Sequence, residues 1–149
     1  MREVRTVRAE LDDLDALVPL FDGYRVFYGQ PSDLDGARTF LADRLKRGES
    51  VIFLAVADGE IVGFTQLYPS FSSVSMKRLW VLNDLFVAPE ARRSGAGRAL
   101  ILRAERWATE TGAKGLTLTT QVTNVTAQGL YESCGWTTDD EFVHYHRFF

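Results

Sequence analysis

The stretch from Asn83 to Leu100 admits few arrangements. It begins as an apolar strand, Asn83 to Val87, and Pro89 ends it because proline cannot continue a ladder. A second apolar pattern, Gly97, Leu100, Ile101, Ala104, Trp107 and Ala108, then recurs at helical spacing. Between the two lie Arg92, Arg93, Ser94, Gly95, Ala96 and Gly97. A strand that turns through glycines into a helix leaves the first-turn N–H groups and the positive dipole end pointing at the turn. Two glycines let a ligand approach the backbone, and two arginines precede them, so the turn reads as an anion cradle of the size of a diphosphate. A glycine-softened helix start without a ligand is the competing reading.

Two well-known phosphate loops do not fit. A nucleotide triphosphate loop requires Lys and then Ser or Thr after its last glycine, and here Arg98 and Ala99 follow Gly97. A dinucleotide fold requires a third small residue and an acid on the next strand. Leu100 occupies the first place, and Leu116 to Val122 contains no acid.

The chain of 149 residues suits one domain spanning 1–149. Its net charge of −3, from 17 basic and 20 acidic residues, gives no support for a nucleic-acid binder and is compatible with cationic substrates. A single cysteine excludes an intrachain disulfide and fits a reducing compartment. One Cys and two His cannot assemble a soft-ligand metal cluster, so no metal is expected. Met1 to Arg8 alternates charged and apolar residues, unlike a leader, and no apolar run approaches a membrane span. The expected location is cytoplasmic.

In order, Glu3 to Ala9 reads as a strand. Leu14, Leu17, Val18 and Phe21 then make a helical stripe after Asp12 and Asp13, with a kink or break expected at Pro19 and Gly23. Its end is aromatic, and Tyr24, Phe27 and Tyr28 are either core or the wall of a pocket that holds a cation. Ser32 and Asp35 resemble a capping box for a second helix with Leu34, Ala37, Leu41 and Leu45 as its apolar face. Val51 to Ala57 is a strand covered on both faces, Asp58-Gly59 a hairpin turn, and Ile61 to Tyr68 the return strand, with a bulge or close approach at Gly63. Pro69 to Ser75 reads as a polar loop and Met76 to Val87 as a long strand. Leu116 to Val122 is a strand, Thr126 to Cys134 a short helix, and Phe142 to Phe149 a last strand. This order predicts an α/β (α+β) mixed sheet with helices on both faces.

Two motifs carry a family resemblance. Arg92-x-x-Gly95-x-Gly97 after an apolar strand resembles the acetyl-coenzyme A loop of the GNAT N-acetyltransferase superfamily. Asn124-x-x-Ala127-x-x-Leu130-Tyr131-x-x-x-Gly135-Trp136 resembles its Asn-capped short helix bearing a tyrosine. The resemblance extends over essentially the whole chain. More loosely, Leu20 to Tyr28, Leu82 to Val87 and Phe142-x-x-Tyr145 look similar to a subgroup containing diamine and histone acetyltransferases. It implies a GNAT fold, with a mostly antiparallel twisted central sheet, and transfer of acetyl from acetyl-CoA to an amine without an acyl-enzyme. Cys134 therefore reads as a small hydrophobe.

An alkyl ammonium has a pKa of roughly 10 and must lose a proton before it attacks a thioester. Backbone N–H groups can stabilise the oxyanion that follows, and the leaving thiolate needs a proton. By the resemblance, Tyr131 supplies that proton. Asp84, a carboxylate inside an apolar strand, costs desolvation unless paired or used, and is the best candidate for holding or deprotonating an amine. Asn83 stands where some diamine-acetylating relatives have an acid, so a water chain without a dedicated base and a purely structural Asp84 both stay open. The resemblance further implies that Leu85, Phe86 and Val87 meet the pantetheine arm. Arg92, Arg93, Ser94, Gly95, Ala96, Gly97 and Arg98 would hold the diphosphate, and Asn124 and Tyr131 would lie near the thioester. Tyr24, Phe27, Tyr28 and Asp84 are the candidate substrate residues.

The expected activity is thus N-acetylation of a small-molecule primary amine, with a polyamine-like cation favoured. The alternatives are a protein lysine or N-terminal amine as acceptor, a coenzyme A sensor without turnover, and a nucleotide-binding module. Many members of the family pair through their last strand, which the apolar residues from Phe142 to Phe149 would suit, so a homodimer is one expected assembly.

Overall fold

A run of seven apolar residues is stable as a strand only when both faces of its sheet are covered. In the computed structural model, which describes residues 3–149, that run is β2 (Val51–Ala57), buried along its whole length. Met1 and Arg2, where the leader reading begins, lie outside the described residues. Asp58 and Gly59 both adopt positive φ, 52° and 77°, the geometry a two-residue hairpin turn requires. They return the chain as β3 (Glu60–Ser72). With β1 (Val4–Arg8), β4 (Lys77–Val87) and β5 (Gly115–Thr117), these form a five-stranded sheet in the order β1-β2-β3-β4-β5. All neighbours are antiparallel except β4 and β5, which are parallel. A parallel neighbour needs a crossover, supplied by α3 (Ala96–Glu110).

One face of the sheet is covered by α1 (Leu14–Phe27) and α2 (Leu34–Lys46). Leu17, Phe21 and Leu41 pack there on Leu54, Phe64 and Phe86. The other face receives α3, whose Leu100, Ile101 and Ala104 are fully buried and whose Trp107 meets the rings of Phe53 and Trp80. The expected mixed sheet, mostly antiparallel with helices on both faces, is therefore present. These elements belong to the first of two compact units, Met1–Thr119, and the second is Thr120–Phe149.

Several local expectations are corrected. The break at Pro19 and Gly23 does not occur, and α1 is continuous. Pro19 lies on the exposed side, where water can take the carbonyl its missing N–H leaves free. Gly23 lies 3.7 Å, measured from an added Cβ, from the ring of Phe86, so it admits a close neighbour. The cap of α2 is Asp33, which accepts from the N–H of Gly36 at 2.9 Å, because Ser32 is spent donating to Asp22 at 2.7 Å. The predicted loop from Pro69 to Ser75 is mostly strand. β3 continues to Ser72, and past Leu67 it has no β2 residue beside it, an edge where proline is tolerated. The strand expected from Leu116 to Val122 shortens to β5. The bulge falls beside Gly63, at Val62, and Gly63 itself lies against the backbone of β4.

In the second unit, α4 (Val125–Ser133) is capped by Asn124, whose Oδ1 accepts from the N–H of Ala127 at 3.1 Å. Gly135, at φ 93°, follows it. The last strand expected from Phe142 to Phe149 is not formed, and those residues are exposed without regular structure. A strand requires a neighbour for its backbone groups, and none pairs with this segment among the described residues.

Candidate active site

The geometry of the first unit turns on one extra residue in β4. Phe86 lies opposite Phe64 and Asp84 opposite Gln66, but Leu82 lies opposite Leu67, so Asn83 is a bulge. Side chains two apart on a regular strand share a face. Trp80 points to α3, where its Nε1 donates to Thr111 at 2.9 Å, and an unbroken strand would send Leu82 and Asp84 the same way. The bulge instead turns Asp84 towards α1.

There Asp84 is 3% exposed and accepts three side-chain hydrogen bonds. Gln66 Nε2 donates to Oδ2 at 2.5 Å, and Asn83 Nδ2 donates to Oδ1 at 2.7 Å. The Tyr24 hydroxyl is shared between Oδ1 at 3.2 Å and the Asn83 carbonyl at 3.4 Å. Burial holds the Asp84 carboxyl above the usual carboxylate range despite these donors. Burial, followed by the nearby Asp84 charge, raises Tyr24, and the same two causes push Tyr68 up to about 12. Asp84 lies on a cavity of about 370 Å³ walled by the rings of Phe21, Tyr24, Phe40 and Tyr68, with Arg25, Asp33 and Asn83 also on its lining. A carboxylate surrounded by aromatic faces suits an ammonium group.

Beyond Val87 the chain makes a 3₁₀ turn, Pro89–Ala91, and enters the arginine–glycine loop. Arg92 folds back, its Nε donating to the Val87 carbonyl at 3.1 Å and its guanidinium lying 5.5 Å from the Phe27 ring centre and 5.6 Å from that of Phe86. Arg93 and Gly95 take positive φ, 64° and 89°, which turns the backbone into α3. Ser94 Oγ accepts from the Ala96 N–H at 3.3 Å. Gly97 and Arg98 occupy the first turn of α3, at its positive dipole end. Arg92, Arg93 and Ser94 open onto a basin of about 530 Å³ that also touches Glu3, Asp58 and Glu90. β5 pairs with β4 only at Leu79–Val81. Leu85, Phe86 and Val87 therefore have β3 on one side and no strand on the other among the described residues. An unpaired strand edge leading to a positive helix start fits a ligand with an amide-bearing arm and a diphosphate.

Of the candidate substrate residues, Tyr24 and Asp84 are in direct contact. Phe27 and Tyr28 do not line this cavity. Phe27 packs under Arg92, and Tyr28 packs edge-on to Tyr24, with ring centres 5.1 Å apart. In the second unit Tyr131 is buried on α4, its ring 5.7 Å from that of Trp136, and Asn124 uses its oxygen as the helix cap. Cys134 is half-buried at the end of α4. Asp33, Phe40, Tyr68 and Gln66 escape the sequence reading. Only Gln66 carried a usable signal there, a polar residue inside an otherwise apolar strand. Among the described residues no group of three or more His, Cys, Asp or Glu converges on a metal position, and no helix is long and apolar enough to cross a membrane.

The sequence profile of the acetyltransferase (GNAT) family matches residues 17–136. An uncharacterized N-acetyltransferase of Bacillus subtilis is 54% identical over 138 residues, 93% of each chain. The crystal structure of a probable acetyltransferase superposes with a TM-score of 0.93 at 50% identity, covering 97% of both chains. An aminoglycoside N-acetyltransferase in complex with CoA shares the fold at a TM-score of 0.80 and 21% identity, over 99% of this chain and 96% of that one.

Proposed function

Because the chain belongs to the GNAT acetyltransferase family, we propose that it transfers acetyl from acetyl-CoA directly to the primary amine of a small, polyamine-like cation. The observation that carries this reading is the continuity of β4. Asp84, on the aromatic cavity, and Arg92, on the anion basin, are joined by the unpaired edge Leu85–Val87. An acceptor and a donor laid along that edge would meet beside it. The second carboxylate on the cavity, Asp33, favours an acceptor with more than one positive charge.

Acetyl-CoA supplies the acyl group as a reactive thioester. The loop from Arg92 to Arg98 holds its diphosphate through guanidinium groups and first-turn N–H groups, and the free edge of Leu85 to Val87 takes the amides of its arm. Asp84 binds the ammonium and accepts its proton, a task suited to a carboxyl already raised by burial. Tyr131 donates a proton to the departing thiolate, a role assigned on the resemblance of its motif. Asn124, at the start of the same helix, orients the thioester. The match of the family profile across residues 17–136 supports treating both units as one transferase domain. A cytoplasmic location suits the single cysteine, and a homodimer suits the exposed apolar side chains from Phe142 to Phe149.

The test is thiol release from acetyl-CoA across polyamines, aminoglycosides, amino acids and lysine peptides, with Tyr131→Phe alongside. Saturable turnover of polyamines, slowed at least tenfold in the variant, is the expected result. Turnover confined to lysine peptides would replace the acceptor. Binding of acetyl-CoA without turnover on any amine would replace the enzyme by a sensor.

A further inference from the structure

Gln66 is wholly buried in the middle of β3, where an apolar side chain of the same shape would avoid all polar cost. Its carboxamide is directed to one purpose. Nε2 donates to Asp84 Oδ2, directly across the strand pair, while Oε1 is buried without a donor among the described residues. An orphaned buried acceptor is rare in a folded protein and calls for a reason. Asp84 supplies that reason. With Tyr24 and Asn83 both on Oδ1, Gln66 is the one side chain among the described residues that hydrogen-bonds to Oδ2.

We propose that Gln66 is a positioning residue for acetyl transfer. It fixes the Asp84 carboxylate across the bulge and keeps it ionised and ready to take the proton of the bound ammonium. This rests on the acetyl-transfer reading above and on Asp84 as the proton acceptor. The proton balance is simple: the ammonium N–H bond breaks, its proton passes to the Asp84 carboxylate, and the nitrogen keeps the electron pair that attacks the thioester. Asp84 has a lone pair left for this proton, since its oxygens accept three hydrogen bonds and a carboxylate offers about four sites. Of the donors that oppose the effect of burial on Asp84, Gln66 is the strongest, ahead of Asn83 and Tyr24. The other titratable or charged groups around Asp84 are Tyr24 and Arg25 from α1, Tyr28 just after it, Asp33 at the head of α2, Arg44 from α2 beyond Tyr68, and Tyr68 from β3. None of them hydrogen-bonds to Oδ2 among the described residues.

The experiment is a pair of pH titrations on the intact protein and on Gln66→Met, which keeps the volume and removes the donor. Carbon-13 NMR of the Asp84 carboxyl, assigned with Asp84→Asn, follows its ionisation directly. The acid limb of kcat/KM for amine acetylation follows its use. Both midpoints should rise together by about one pH unit in Gln66→Met, the size of losing one hydrogen bond to a charged group. Gln66→Leu, which also lacks the donor, serves if the Met variant does not fold, and should move both midpoints in the same upward direction. An unmoved NMR midpoint overturns the proposal. So does an NMR midpoint that moves while the acid limb stays, since Gln66 would then act on Asp84 but not on the reaction. Failure of the acetyl-transfer reading looks different: the unaltered protein releases no thiol with any amine, and the reaction role of Gln66 is overturned with it.

Discussion

Replacing Gly63 by alanine would test whether β3 and β4 touch as closely as the structure shows. A Cβ built on Gly63 lies 2.9 Å from the Phe86 carbonyl oxygen, 3.3 Å from Val87 Cγ2 and 3.4 Å from Leu100 Cδ1. The nearest of these is backbone and cannot rotate away. The two strands, paired here as Gly63 with Val87, must separate by a few tenths of an ångström, with α3 following through Leu100. Overpacking of this kind costs about 1–3 kcal/mol. At roughly 2–4 °C per kcal/mol for a chain of this size, Tm should fall by about 2–12 °C. The displaced segment carries the Val87 carbonyl that anchors Arg92, so KM for acetyl-CoA should rise more than KM for the amine. Calorimetry and steady-state kinetics read the two effects. Gly115→Ala is the control, because a Cβ there meets nothing within 4 Å, and it should stay within about 0.5 kcal/mol of the parent. Equal Tm values for the two variants would refute the close approach. A lowered Tm with both KM values unchanged would refute the link from Gly63 through Val87 to the anion loop.

Asp84→Asn should abolish amine acetylation and yet raise thermal stability at neutral pH. The folded carboxyl holds its proton to higher pH than the unfolded one, so the parent loses stability as pH rises through the folded value, and asparagine loses none. The Tm gap between variant and parent should open as pH rises and close below about 4, where the carboxyl is protonated in both states. A constant gap across pH would show that Asp84 is not raised. Arg92→Lys keeps the charge but loses the Nε bond to Val87 and the stacking on Phe27 and Phe86, and KM for acetyl-CoA should rise roughly tenfold with kcat little changed.

Much of the frame was legible because it rests on local chemistry. The unbroken apolar run at Val51–Ala57 could only be a covered strand, and Asp58-Gly59 could only be a tight turn. Gly95 marked the entry to α3, and Asn124 capped α4 as its side chain suggests. What escaped depends on neighbours distant in sequence. Ser32 looked as good a cap as Asp33 until Asp22, ten residues earlier, took its hydroxyl. Pro69 looked like the end of a strand because nothing local shows that β2 stops opposite Leu67. The segment from Phe142 to Phe149 has the composition of a strand, but composition does not supply a partner. The site divides in the same way. The arginine–glycine loop is contiguous in sequence and could be located directly, whereas the cavity gathers Tyr24, Asp33, Phe40, Tyr68 and Asp84 from two helices and two strands. Even the direction of Asp84 was hidden, since it is set by the register shift at Asn83 rather than by any property of Asp84.

That register shift makes β4 a device that counts. Up to Leu82 the strand presents its even-numbered side chains to α3, and from Asp84 onwards it presents them to α1. Removing the one residue between would invert the parity of everything on one side of it. Either Asp84 and Phe86 would turn into the tryptophan-packed layer, or Trp80 and Leu82 would turn away from it. Between Leu82 and Asp84, therefore, the number of residues matters as much as their identity. A single-residue change in length at Asn83 would leave a chain of this fold without its carboxylate on the α1 side of the sheet.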